Sequence, residues 1–121
     1  MRKLTLFICT GLMAFSAPGF GQDAQAIERG RDKFIHDCQP CHGAGPGDDG
    51  SPMLPGTHAL QLKYKGEKPA LLEQRSDLSA EMITVFIRNG VASMPPFRKT
   101  EVTDQHIADI AAYLKYMATG R

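Results

Sequence analysis

The chain has 121 residues, with 14 Lys and Arg against 13 Asp and Glu, no tryptophan and three cysteines. That length holds one ordinary domain and not two. The near-even charge lacks the basic excess of a nucleic-acid binder, so that class of partner is excluded from the reading.

The first stretch reads as a secretory leader: Arg2 and Lys3, the apolar run Leu4 to Phe15, then small and turn-forming residues up to Gly21. The run is too short to span a bilayer, so no stable membrane insertion is expected after cleavage. Gly19 and Gly21 fit the small-residue positions of a cleavage site, which divides the chain into a leader 1–21 and a domain 22–121. Ala17 and Ala24 to Ala26 offer other cleavage points, and an uncleaved anchor is the alternative. Cys9 lies too early in the run to take a lipid. Removing Arg2 and Lys3 from the 14 basic residues leaves 12 against 13 acidic ones. Cys9 goes with the leader, leaving Cys38 and Cys41 in an exported domain with no disulfide framework.

From Asp23 to Asp37, Ile27, Gly30, Phe34 and Ile35 recur at helical spacing among charged residues and predict an amphipathic helix leading into Cys38. Gly43 to Thr57 is rich in glycine and proline and is expected to be loop, with Asp48 and Asp49 as turn formers. Short helical turns are expected at Ala59 to Tyr64 and Ala70 to Gln74. Ser79 is placed to cap a helix from Ala80 to Asn89, with Ile83, Phe86 and Ile87 on its apolar face and Gly90 as its stop. Thr103 caps a last helix, Val102 and Ile107 forming a hydrophobic staple. Its stripe runs through Ile107, Ile110, Ala111, Leu114 and Met117 to Gly120. No strand-like alternation and no repeat is present, so the fold class is small and all-α. So few large apolar residues are marginal as a core, and a bound apolar group at the centre would supply what they lack.

Cys38-Gln39-Pro40-Cys41-His42 has the C-x-x-C-H spacing of covalent c-type haem attachment. Two thiols three positions apart match the two vinyl groups on one porphyrin edge, and His42 then lies where its Nε2 can bind iron. Zinc uses the same letters but needs four ligands, and His36, His58 and His106 stand at no familiar zinc spacing. A thioredoxin-like pair needs a βαβ context, which is missing. These three histidines read as solvated. For the sixth iron position, Met82 and Met117 fall on predicted helices and read as core filling. Met94 stands in a loop before Pro95, which biases it toward extended backbone and presents its side chain from a stiff segment. Met53, also in a loop, is the runner-up. A His42/Met94 pair closes both axial positions and suits one-electron transfer rather than catalysis.

These residues in this order resemble the class I c-type cytochromes: Gly30 and Phe34, Cys38 to His42, Pro52-Met53-Leu54-Pro55-Gly56, Met94 before Pro95, and Tyr113-Leu114. The resemblance implies first and last helices crossing at Gly30 with Phe34 against Tyr113, one covalent haem c in the core, and a Pro52 carbonyl accepting the Nδ1 proton of His42. It further implies a periplasmic electron carrier, not an enzyme, between a dehydrogenase and the respiratory chain. The stretches Thr57 to Leu78, Ile87 to Gly90 and Met94 to Arg98 are similar to the cytochrome subunits of p-cresol methylhydroxylase-type flavocytochromes. That likeness implies, as the alternative, an obligate electron-accepting subunit of a flavoprotein dehydrogenase that oxidises 4-alkylphenols. The segment Thr57 to Leu78 would then be a docking surface, or else a structural insertion.

Overall fold

The computed structural model describes residues 20–120, and the expected leader before Phe20 lies outside them. Five α-helices follow in order: α1 Phe20–Asp37, α2 Gln39–His42, α3 Pro55–Tyr64, α4 Ala80–Asn89 and α5 Asp104–Thr119, with a 3₁₀ turn at Leu72–Gln74 between α3 and α4. Among the described residues no strand forms; Val91 and Met94 make an isolated bridge. The all-α expectation holds.

The largest helix contact is α1 against α5, the first and last helices. They cross at Gly30, where an added Cβ would stand 2.0 Å from the carbonyl oxygen of Asp109, so only hydrogen fits between the two backbones. One turn further on, Phe34 is fully buried with its ring 5.5 Å from that of Tyr113 at 49°, a tilted aromatic pair. Beside the crossing, the Arg29 guanidinium donates to both carboxylate oxygens of buried Asp109, at 2.8 and 3.1 Å, and Gln105 donates to the same carboxylate at 3.0 Å.

Phe34, Ile83, Ile87, Val102, Ile107, Ile110, Tyr113 and Leu114 form the core, drawn from α1, α4, α5 and Val102 just before α5. The helix ends follow the sequence signals. Ser79 Oγ accepts from Met82 N, and Gly90, at φ 68°, stops α4. Thr103 Oγ1 accepts from His106 N at 3.1 Å, and His106 Nδ1 accepts from Thr103 N at 3.2 Å, a reciprocal cap. Val102 and Ile107 are both buried, completing the expected staple.

Three expectations need correction. The loop after the cysteine motif is shorter than Gly43 to Thr57, because α3 begins at Pro55 and not at Ala59. Pro55 sits at the start of the helix, where its missing N–H costs nothing and its fixed φ suits the first turn. Met82 and Met117 do not fill the core, being 38% and 47% exposed on the outer faces of α4 and α5. His106 is not merely solvated, since it caps α5.

The segment after α3 is fastened within the 3₁₀ turn and just after it. The Tyr113 hydroxyl donates to Glu73, and burial, with Glu73 beside it, pushes that phenol up to about 12. Arg75, almost wholly buried, makes two 2.7 Å bonds to Asp77 and lies 4.9 Å over the Tyr64 ring.

Candidate haem site

α1 runs directly into the cysteine motif: Cys38 N donates to Phe34 O at 2.9 Å, so the last turn of this helix, which buries Phe34, leads into Cys38. The chain then makes the single helical turn α2, in which His42 N donates to Cys38 O at 2.8 Å and Cys41 N to the same carbonyl at 3.1 Å. On one helical turn, positions three and four apart are neighbours, so this backbone sets Cys38, Cys41 and His42 on one side. Both thiols are free. Cys38 is half-buried against the core and Cys41 is exposed.

Burial, reinforced by the neighbouring Asp37 carboxylate, pushes the Cys38 thiol up to about 12, so it stays protonated. Burial also tends to raise Asp37, but attraction to Lys33 and His36 outweighs it and leaves that carboxyl below its usual range. Lys33 Nζ lies 2.7 Å from Asp37 Oδ2 and His36 Nδ1 lies 2.6 Å from Oδ1.

The first turn of α3 closes over His42. Thr57, buried, donates its hydroxyl to Gly43 O at 2.9 Å, which pins α3 to the end of α2. Gly56 then lies against the imidazole: a Cβ there would stand 2.7 Å from Cε1 and 2.8 Å from Nδ1 of His42. Burial lowers the His42 pKa and favours the neutral ring, the form that binds a metal. Its Nδ1 is sealed from solvent and has no hydrogen-bond partner. The expected bond to the Pro52 carbonyl is therefore not made; Pro52 is exposed in the loop, and Gly56 lies on the Nδ1 edge because α3 starts early. Thr57 is a site residue that composition hid inside a supposed loop, although Pro55 at a helix start was the signal for it.

Met94 is half-buried and packs against the same core that Cys38 borders. It closes a tight turn, donating its N–H to Val91 O at 2.9 Å and accepting from Val91 N at 3.0 Å, with Ala92 at φ 51°. A Cβ on Gly90 would lie 2.7 Å from Met94 O and 3.0 Å from Pro96 N, so this loop is pressed onto the end of α4. Met53 is half-buried and borders two clefts of about 530 and 490 Å³ that flank the glycine-rich loop. Asp49 acts as a turn former, accepting from Ser51 N at 3.0 Å, while His36 and His58 are exposed.

A free thiol pair on one turn, a neutral histidine with one nitrogen sealed and a backbone cradle that a methyl group would fill are what covalent haem c requires, and these residues fit it. A family model described as cytochrome c oxidase, cbb3-type, subunit III matches residues 25–114, from α1 through most of α5 with both cysteines, His42 and Met94 inside it. No curated protein and no solved structure matches the chain. The likeness to p-cresol methylhydroxylase-type subunits gains no support from these comparisons. With three quarters of its length matched, the chain belongs to the cbb3-type cytochrome c oxidase subunit III family, and its domain is a class I c-type cytochrome that carries electrons.

Proposed function

We propose that the chain is an exported, periplasmic monohaem cytochrome with His42 and Met94 as axial ligands, taking single electrons from a dehydrogenase and passing them toward the respiratory chain. The observation that carries this reading is that Cys38 and Met94, 56 residues apart in sequence, border one core. Cys38 and Cys41 would hold haem through their free thiols, each adding S–H across one vinyl group, sulfur to one carbon and hydrogen to the other, so that attachment would consume no oxidant. His42 offers Nε2, because Nδ1 is sealed beneath Gly56. Met94 offers a thioether from a turn braced by Val91, Gly90 and two prolines. When bound, haem iron with this ligand pair supplies a one-electron Fe(II)/Fe(III) couple with no open coordination position.

Met94→Ala should keep covalent haem yet lose the sulfur-to-iron absorption band of the oxidised form and lower the potential. An unchanged spectrum and potential would overturn the Met94 assignment. Replacing Cys38 and Cys41 together by Ala should abolish haem that survives denaturing electrophoresis.

A second reading, an obligate subunit of a flavoprotein dehydrogenase acting on 4-alkylphenols, draws on the surface of the Thr57 to Leu78 segment. Leu62 there is 63% exposed and its neighbour Lys63 and the following Lys65 are exposed too, an apolar residue flanked by basic ones. Purification from the native host decides: flavin in a stable complex supports the subunit, and a free cytochrome with a mature N-terminus at Gln22 supports the exported carrier. No helix among the described residues is long and apolar enough to cross a membrane.

A further inference from the structure

The segment that displays Met94 has few backbone donors of its own. Pro95 and Pro96 have no N–H to donate, so Met94 N and Phe97 N are its nearest backbone donors, and both are used. Met94 is tied back to Val91, while Phe97 N donates to Ile87 O at 2.7 Å. The Phe97 carbonyl needs a donor from elsewhere, and Arg88 provides it.

Arg88 stands in the last turn of α4 with its side chain only 18% exposed. Its Nη1 donates to Phe97 O at 3.2 Å and its Nη2 to Asp104 Oδ1 at 2.7 Å. Asp104 is the first residue of α5, and its other oxygen takes Lys99 Nζ at 2.9 Å. One planar group thus joins α4, the loop and the start of α5. Its Nε is buried without a partner, so the fork is oriented by its two outer nitrogens alone. Desolvating a guanidinium in this way is costly, and the two bonds it makes are the compensation.

We propose that Arg88 is a positioning residue for Met94: by clamping Phe97 against Asp104 it sets how readily the Met94 thioether leaves the iron. The inference rests on Met94 being the sixth ligand. A loop held at both ends spends less time open, and a competing ligand enters only when it is open. Lysine cannot replace the fork, because one ammonium does not reproduce two bonds fixed in a plane.

The test is an imidazole titration of the oxidised haem protein, followed by loss of the sulfur-to-iron band. In Arg88→Met, which keeps the apolar stem, the band is present before titration and imidazole displaces Met94 at about tenfold lower concentration, the scale expected for losing the charge-assisted hydrogen bond to the Phe97 carbonyl. Arg88→Lys behaves like Arg88→Met. Asp104→Asn, at an exposed position, shifts the titration the same way by a smaller factor and serves if Arg88→Met binds no haem. Titrations that coincide with the parent in Arg88→Met, or in Asp104→Asn where that variant must serve, overturn the inference, and a lowered melting temperature with an unmoved titration does so too. A band that persists in Met94→Ala instead removes the ligand assignment beneath it, so the two failures are told apart.

Discussion

Asp109 shows how a single side chain was visible in sequence only as one more charge. It is 2% exposed, and hydrogen bonds from Arg29 and then Gln105 hold its carboxyl below the usual range. A carboxyl depressed in the folded state stabilises fully above its unfolded value, about 3.9, and loses that contribution as pH falls through the folded one. Asp109→Asn should therefore lower the melting temperature at neutral pH, and the gap from the parent should close as the pH is taken below about 4. Equal gaps at pH 7 and in acid would show that the charge is not what matters. Cys38, Cys41 and His42 were legible as a candidate site because the motif is written in contiguous residues. The partners of His42 were not, since Gly56 and Thr57 reach it only through the early start of α3. His106 was misread for a similar reason: its cap needs Thr103 in a specific backbone geometry that composition does not reveal.

At the scale of elements, α1, α4 and α5 were readable because apolar period, caps and terminal glycines agreed. Glycine and proline obscured α3, since they mark both loops and helix starts. Gly30→Ala should cost roughly 3 kcal/mol, the upper end for overpacking, because the obstacle is the Asp109 backbone and not a side chain that can swing aside. Phe34→Ala removes one half of the aromatic pair at a fully buried site and should cost about 3–5 kcal/mol. Thr103→Ala should cost about 1 kcal/mol by removing one side of the α5 cap. Denaturant unfolding of the haem-bearing variants measures all three, and Gly30→Ala ranking below Thr103→Ala would contradict the close crossing.

Across the whole molecule, helices with Val102 supply the core, while the turn at Cys41 is exposed and the loop of Met94 packs on the core from outside. Sequence suggested this division, in that the apolar residues were too few for the chain length. It could not show how the loops are moored, because Thr57 to Gly43, Glu73 to Tyr113 and Arg88 to Phe97 join residues 9 to 40 positions apart. Without attached haem, the variant with both cysteines replaced by Ala should unfold over a broader denaturant range than the parent, with the helical signal of α1 and α5 outlasting loop order. A transition as sharp as that of the parent would mean that the polypeptide alone supports the fold.

The crossing at Gly30 also works as a ruler. Asp109 touches α1 twice, its carbonyl against Gly30 and its carboxylate on Arg29, so backbone and side chain report the same alignment. Sliding α1 by one residue would move it about 1.5 Å and turn its faces by about 100°, which spoils both contacts together. No intermediate setting satisfies either. Because Cys38 follows directly on the helix that carries Arg29 and Gly30, the first cysteine of the motif inherits that fixed graduation, eight residues along a rod that has one permitted position.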